Sequence, residues 1–237
     1  MREKLAIAIL AMALLVLSGY ALFQLSKSRT FQFFGGLTSR VQTDRPVAAI
    51  TFDDAPSEYS DQVVSILSEK GIPATFYAIG QNIEKYPEET KNIVRQGSEL
   101  GNHTYSHQPL VLQPLSFIDN EIQKTSQLIR QAGYPGEITF RPPNGKKFIG
   151  LPWYLHEHNM KTIMWDVEPD TLFQGDAEAI VKDALEHTQP GSIILLHPFC
   201  KTECAADRQA LPKIIDGLRE QGYSFATISE LLALASH

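Results

Sequence analysis

The chain has 237 residues, of which 43% are hydrophobic and 20% are charged, and its formal net charge is −6. A chain of this length can bury a full hydrophobic core, and its 15 glycines and 14 prolines exclude collagen-like and low-complexity classes. Residues 41–237 hold 16 basic and 26 acidic residues, and because such an acidic body repels phosphate backbones, we expect no nucleic-acid partner.

The chain begins with a long apolar segment. Residues 5–23 contain no charged side chain, and as a helix they would extend about 28 Å, close to the hydrocarbon thickness of a bilayer. Arg2 and Lys4 precede them as the basic flank that stays in the cytoplasm. A cleaved signal peptide starts in the same way but has a shorter apolar core. We therefore expect residues 1–29 to be a transmembrane signal anchor, with a cleaved signal peptide and a secreted product as the alternative.

A short polar stalk is predicted over residues 30–45, followed by one folded domain over residues 46–237. In that domain short apolar runs alternate with amphipathic helical patterns. The predicted strands cover residues 47–52, 74–78, a short stretch up to His103, 138–140, 162–165, 193–196 and 225–227. The predicted helices cover residues 59–70, 87–96, 116–132, 150–158, 176–187 and 208–221. Seven β-then-α units indicate an α/β fold with a parallel sheet, either a barrel or an open doubly wound sheet.

Charged and imidazole side chains follow the carboxyl ends of five predicted strands. Folds of this class place their chemistry at that rim. Taken singly, each group could be a turn, a helix cap or a surface ion pair, whereas the set at one rim indicates a catalytic site. In chain order these residues are Asp53, Asp54, His103, His107, Arg141, Asp166, Glu168, Asp170 and His197.

This set of side chains suits metal-assisted hydrolysis. Two imidazoles and one carboxylate make a three-ligand site with open positions for water and substrate. The ion acidifies water and polarises a carbonyl, a neighbouring carboxylate acts as general base, and a further histidine protonates the leaving amine or alcohol. An arginine beside the base keeps it ionised, and an acid beside the histidine keeps it protonated. Histidines at i and i+4 reach one ion if their segment is helical.

The other histidines and the cysteines stay outside this site. His156 and His158 have i, i+2 spacing on a predicted helix and point apart, and His187 and His237 have no supporting neighbours. The two cysteines are Cys200 and Cys204, whose spacing fits either a local disulfide or two free thiols and does not match a zinc knuckle.

Residues 46–235 resemble the polysaccharide deacetylases of carbohydrate esterase family 4. Five motifs match in the family's order: Thr51-Phe-Asp-Asp-Ala-Pro56, His103-Thr-Tyr-Ser-His107, Arg141-Pro-Pro-Asn-Gly145, the acidic loop at Glu168–Thr171, and Leu195-Leu-His197. The resemblance implies that Asp53 is the base and that Asp54, His103 and His107 hold the metal.

The remaining matches imply roles in the acyl transfer. By resemblance Arg141 orients the base, the backbone N–H of Asn144 helps to hold the oxyanion, His197 is the acid, and Leu195 lines the pocket for the acetyl methyl group. Asp170 is the best match for the residue that tunes His197, with Asp166 and Glu168 as alternatives.

Three positions depart from the family pattern. Ala55 replaces a glycine, Asn144 replaces a tyrosine, and Glu168-Pro-Asp-Thr171 stands where the family has an Asp-Trp pair. The two missing aromatic side chains imply a substrate of different size or acyl group. Trp153, Tyr154 and Phe173 are candidate sugar-stacking residues.

The resemblance implies a distorted seven-stranded (β/α) barrel, preceded here by the N-terminal helix. It also implies metal-dependent removal of N-acetyl groups from N-acetylglucosamine units of peptidoglycan, chitin-like polymers or exopolysaccharide. The expected cofactor is Zn²⁺, with Co²⁺, Ni²⁺ or Mn²⁺ also suited to the ligands. The expected partners are a carbohydrate substrate and the membrane, with the catalytic domain in the periplasm or outside the cell. Two alternatives stay open: a deacylase or deformylase of a small or lipid-linked sugar amide, and a non-catalytic carbohydrate-binding relic.

Overall fold

A computed structural model describes residues 2–235 of the chain. Met1, Ser236 and His237, the last of which was left outside the predicted site, lie outside the described residues. Helix α1 (Arg2–Ser26) comes first and is long and apolar enough to cross a membrane. Its large apolar side chains from Leu5 to Leu25 are exposed, unlike those of a core helix in a globular domain.

Seven short strands follow in the body, and all pairings between them are parallel. They are β1 (Leu37–Thr38), β2 (Val47–Ala55), β3 (Thr75–Ala78), β4 (Glu99–Asn102), β5 (Thr162–Ile163), β6 (Ile193–Leu196) and β7 (Ser224–Phe225). The main sheet has the order β4-β3-β2-β6, with β7 also paired to β2, and β1 pairs with β5. Single parallel bridges link Asn102 to Phe140, Phe140 to Thr162, and Val167 to Ile194.

Nine helices and one 3-10 turn connect or flank the strands in the described part of the body. The helices are α2 (Ser60–Lys70), α3 (Gly80–Lys85), α4 (Pro87–Arg95), α5 (Leu115–Gln131), α6 (Gly150–Glu157), α7 (Pro169–Leu172), α8 (Ala177–His187), α9 (Ala205–Glu220) and α10 (Ile228–Leu232), and the turn is Pro143–Gly145. Local chemistry sets several ends. Gly71 ends α2 in the left-handed region at φ 61°, and the Asp176 side chain accepts a hydrogen bond from Ala179 N to begin α8.

The predicted α/β alternation is confirmed, and the six predicted helices agree with α2, α4, α5, α6, α8 and α9 within about three residues. The predicted strand at 138–140 is reduced to a bridge at Phe140. Gly136 precedes this segment, and Pro142 and Pro143 follow it without the N–H that a longer ladder would require.

Part of the predicted stalk packs against the body. Strand β1 pairs with β5, and the Val41 side chain is buried. Val41 N donates to Gly191 O at 2.9 Å. Gly191 has φ +80°, and a Cβ there would lie 1.9 Å from Val41 O, so only glycine allows this close approach.

The two faces of β2 serve different purposes. Ala48, Ile50 and Phe52 join the apolar cluster that contains residues of α2, α8 and α9, whereas Val47 and Ala49 join a second, inner cluster. Side chains alternate along a strand, so the inner face continues through Thr51 to Asp53. The strand therefore delivers Asp53 to the inside of the rim.

Candidate active site

The centre of the site is a buried ion pair between Asp53 and Arg141. Arg141 Nη1 donates to Asp53 Oδ1 at 2.8 Å and to Thr51 Oγ1 at 2.8 Å. Its Nε and Nη2 donate to the carbonyl oxygens of Ile163 and Met164. The arginine side chain is fully buried and the aspartate is 4% exposed, so the guanidinium is fixed in place by the acceptors around it.

This pair keeps Asp53 ionised. Burial alone would raise the pKa of its carboxyl, but the Arg141 charge, the charge of His197 and the Arg141 hydrogen bond together hold that pKa below its usual range. Asp53 is thus a desolvated carboxylate that is negative at neutral pH, which is the state a general base requires.

Three side chains beside the pair could hold a metal ion. One ligand atom each from Asp54, His103 and His107 lie within 4.8 Å of one another. Asp54 Oδ1 is 3.3 Å from His107 Nε2 and 3.8 Å from His103 Nε2. His103 Nδ1 lies 2.7 Å from Arg141 O. A carbonyl oxygen can only accept, so Nδ1 carries the proton and the Nε2 lone pair faces the other two ligands.

The surroundings of Asp54 Oδ1 support a cation at this position. Asp54 Oδ1 is shielded from solvent, yet it accepts no hydrogen bond from any group in residues 2–235. A buried carboxylate oxygen without a donor is costly unless a cation neutralises it. Two imidazoles and one carboxylate are the donor set that Zn²⁺ and similar divalent ions bind.

The loop that carries the two histidines is not helical. From the sequence alone, histidines at i and i+4 would need a helical segment to reach one ion. Thr104 and His107 adopt left-handed φ values of 68° and 58°, and these bends, instead of a helical turn, bring the rings to 5.0 Å between centroids. Glu121 of α5, which is buried, accepts hydrogen bonds from Tyr105 N, Ser106 N and Ser106 Oγ at 2.8–3.0 Å. Sequence reasoning missed Glu121, because it is an acid within an amphipathic helix with no signal of its contacts.

His197 is paired with Asp170. Asp170 Oδ2 accepts from His197 Nδ1 at 2.9 Å and from His197 N at 2.6 Å. Burial alone would lower the pKa of His197, but the Asp170 hydrogen bond and the charges of Asp170, Asp53 and Asp54 raise it to about 9. The imidazole is therefore protonated at neutral pH, as a general acid must be.

The two alternative acids have other partners. Asp166 accepts from Ser192 Oγ and Ile193 N, each at 2.8 Å. Glu168 accepts from Trp165 Nε1 at 2.8 Å and also pairs with Arg29. Of the three acids considered from sequence, the structure places Asp170 against His197.

A cleft passes across these groups as two adjoining cavities of about 580 and 490 Å³ that share Asp54, Thr171 and His197. The larger cavity extends past Asp170 towards Lys85 at the end of α3, the adjacent Tyr86, and the loop closed by the Cys200–Cys204 disulfide. The smaller cavity is lined by Asp53, the two histidine ligands, Asn144, Trp165, Lys27 and Arg29. The reacting groups thus lie where an extended ligand could cross on both sides.

Trp165, Lys27 and Arg29 were not predicted at this site. Trp165 lines the smaller cavity, so an aromatic side chain is present there although the family's Asp-Trp motif is not. The Arg29 guanidinium lies over its ring at 4.7 Å. Lys27 and Arg29 were assigned to the anchor. No local sequence pattern indicated that Arg29 contacts Glu168, which lies 139 positions further along the chain.

The remaining predicted residues divide between the cleft and the rest of the body. Asn144 is exposed in the cleft with φ 55°, whereas Leu195 is fully buried in the inner apolar cluster. His158 stacks on Tyr154 at 4.0 Å, and His156 is exposed on the same helix, α6. Trp153 lies on the surface of α6.

Known proteins share both the sequence and the fold. The family model for polysaccharide deacetylase matches residues 40–163. The chain is 33% identical over 185 residues to a peptidoglycan-N-acetylglucosamine deacetylase of Bacillus cereus, covering 77% of this chain and 67% of that protein.

Two crystal structures give the comparison in three dimensions. The Bc1960 peptidoglycan N-acetylglucosamine deacetylase superposes with a TM-score of 0.78 at 29% identity, over 82% of this chain and 92% of that one. The CE4 family pseudoenzyme BA3943 of Bacillus anthracis superposes with a TM-score of 0.77 at 26% identity, over 85% and 70%. As its motifs predicted, the chain therefore belongs to the polysaccharide deacetylases of carbohydrate esterase family 4, hydrolases of carbon–nitrogen bonds other than peptide bonds.

Proposed function

We propose that this protein removes N-acetyl groups from N-acetylglucosamine units of an envelope polymer, with peptidoglycan as the first candidate. The observation that carries the proposal is the meeting of an ionised Asp53, the three-ligand set and a protonated His197 in one open cleft. Its similarity to a protein named as a peptidoglycan-N-acetylglucosamine deacetylase supports the substrate class.

Asp54, His103 and His107 would hold the metal, which we expect to be Zn²⁺, with Co²⁺, Ni²⁺ and Mn²⁺ as alternatives. When bound, a divalent cation supplies Lewis acidity, which polarises the amide carbonyl and acidifies water.

The protein's own side chains move the protons. Asp53 Oδ2 accepts a proton from the attacking water, while Arg141 on Oδ1 holds the carboxylate in position and ionised. Asn144 lines the same cavity, and its backbone N–H would help to hold the oxyanion as the carbonyl carbon becomes tetrahedral. His197 donates its proton to the amide nitrogen as the carbon–nitrogen bond breaks, and Asp170 stabilises the imidazolium until then. Water and the amide are thereby converted to acetate and a free amine.

The Asp170–His197 pair predicts a pH dependence. With a pKa of about 9, His197 is protonated at neutral pH, so kcat should fall only as the pH rises through about 9. In Asp170→Asn the hydrogen bond weakens and the carboxylate charge is gone, so this basic limb should move towards 6.5, the ordinary histidine value. The measurement is the pH profile of kcat for acetate release from an N-acetylglucosamine oligomer.

Asp166→Asn is the matched control, because that acid lies outside the cleft and bonds to Ser192 and Ile193. It should keep the wild-type profile. If kcat of Asp170→Asn still falls at the same basic pH as in the wild type, the titration of His197 does not cause that fall.

We also infer the finer architecture. A distorted barrel is supported by continuous parallel pairing from β6 through β2, β3 and β4 to Phe140 and β5, together with the Val167–Ile194 bridge back to β6. Residues 1–29 are proposed as an uncleaved signal anchor that holds the catalytic domain outside the cytoplasm, which α1 supports by its length and apolar surface. Residues 30–45 then connect it to the domain over 46–237.

The substrate is tested with the full chain in detergent. Acetate release is measured from N-acetylglucosamine oligomers and peptidoglycan fragments, and formate release from an N-formyl sugar amide, with Asp53→Asn as the blank. Acetate from either polymer supports the proposal. Release of formate alone would indicate that the site acts on a small or lipid-linked sugar amide. No product from any substrate while metal is bound would favour a carbohydrate-binding relic.

A further inference from the structure

A patch of large apolar side chains lies on the surface of the body outside α1. Phe31 packs edge-on against Phe33 at 5.3 Å between ring centroids, and Phe33 packs edge-on against Phe148 at 5.5 Å. Phe34 continues the first segment, and Ile149 and Trp153 continue the second into α6. Five of these six side chains are 39–49% exposed. We call Phe31, Phe33, Phe34, Phe148, Ile149 and Trp153 the aromatic patch.

The aromatic patch adjoins the end of α1. Lys147 N donates to Ser26 O, the last residue of that helix, at 2.7 Å, and Lys147 Nζ donates to Ser28 O. Lys147 is buried and Phe148 follows it directly. The ring of Phe148, and through it the ring of Phe33, is thereby held next to the point where α1 ends.

The position of α1 sets the depth of the patch. Its apolar residues 5–25 extend about 30 Å as a helix, the hydrocarbon thickness of a bilayer. If they span it, Ser26 lies at the lipid–water interface. Tryptophan is enriched at that depth in membrane proteins, and phenylalanine and aliphatic side chains insert at the boundary between headgroups and acyl chains. A large exposed apolar patch marks a site of interaction with such a surface.

We propose that the aromatic patch inserts into the lipid–water interface beside α1, so that the catalytic domain lies on the membrane surface. The proposal rests on the assignment of α1 as an uncleaved anchor in the proposed function. The attachment is apolar, because the patch consists of aromatic and aliphatic side chains and residues 41–237 as a whole carry a net negative charge. It should therefore form on vesicles of zwitterionic lipid.

The docking would also fix where the enzyme works. Lys27 and Arg29, which join α1 to the patch, line the catalytic cleft. The mouth of the cleft would then lie beside the lipid headgroups, and the enzyme would act on glycan close to the membrane.

The test uses the two tryptophans of the full chain in phosphatidylcholine vesicles. Trp153 belongs to the patch, whereas Trp165 is buried beside the cleft. Lipids brominated near the headgroup end of the acyl chains should quench the emission of Trp153, and this quenching should be absent in Trp153→Phe. Phe31→Ser with Phe34→Ser should abolish it, whereas the apolar control Phe31→Leu with Phe34→Leu should retain it.

Separate measurements distinguish failure of the anchor, of the docking and of the catalytic proposal. Alkaline extraction reports whether α1 is inserted, and acetate release in detergent reports whether the catalytic proposal holds. A chain that resists extraction but shows no quenching of Trp153 would overturn the docking while the anchor stands. A chain that is extracted would overturn the anchor and the docking together.

Discussion

Replacing Asp53 by asparagine should lower kcat/KM for acetate release by about 10²–10⁴-fold while leaving metal binding intact. Asparagine has nearly the same shape but cannot accept the proton of the attacking water. The metal ligands are Asp54, His103 and His107, so the ion should still bind with a stoichiometry near one. Acetate release and the metal content of the purified variant are the two measurements.

Stability must be measured alongside activity in this variant. Arg141 is fully buried and would lose its carboxylate partner, and breaking a buried pair costs about 3–5 kcal/mol. The comparison is therefore made well below the thermal midpoint, with Asp166→Asn as the control for removing an acid near the same rim that lies outside the cleft. Undiminished turnover in Asp53→Asn would discard Asp53 as the base, and loss of the metal would place it among the ligands.

Replacing His103 by alanine should remove both the metal and the activity. His103 offers Nε2 to the site because its Nδ1 is committed to Arg141 O, and deleting one of three protein ligands leaves too few to hold an ion. Loss of a residue that only orients a ligand typically costs 10–100-fold in metal affinity, and loss of the ligand itself should cost about 100-fold or more. The measurement is metal affinity by titration calorimetry together with acetate release.

His158→Ala is the matched control for removing an imidazole. His158 stacks on Tyr154 of α6, and its loss should change neither metal affinity nor turnover. If His103→Ala still bound one equivalent of metal with the wild-type affinity, the ligand set drawn from Asp54, His103 and His107 would be wrong.

The features that could be predicted from the sequence depend on patterns that extend over a few residues. The amphipathic period and the glycine at position 71 predicted α2 close to its observed bounds, because both act over a few residues. The nine groups at strand ends could be placed at one rim because parallel strands share a carboxyl edge.

The features that could not be predicted depend on contacts between residues that are far apart in the sequence. Glu121 positions the loop of His103 and His107 from another helix, and Arg29 reaches Glu168 across 139 positions. Three acids close together in sequence were all candidates to pair with His197. Only the path of the chain into α7 turns Asp170, instead of Asp166 or Glu168, towards a residue 27 positions away.

The central claim is metal-dependent deacetylation by this site, and chelation with add-back tests it most directly. Acetate release from an N-acetylglucosamine oligomer is measured with the full chain in detergent before chelation, after removal of bound metal, and after addition of one equivalent of Zn²⁺. We predict that activity is lost with the metal and returns with it, and that Asp53→Asn with Zn²⁺ stays about 10²–10⁴-fold below the wild type. Acetate release that continues in wild-type protein shown to be free of metal would contradict the account.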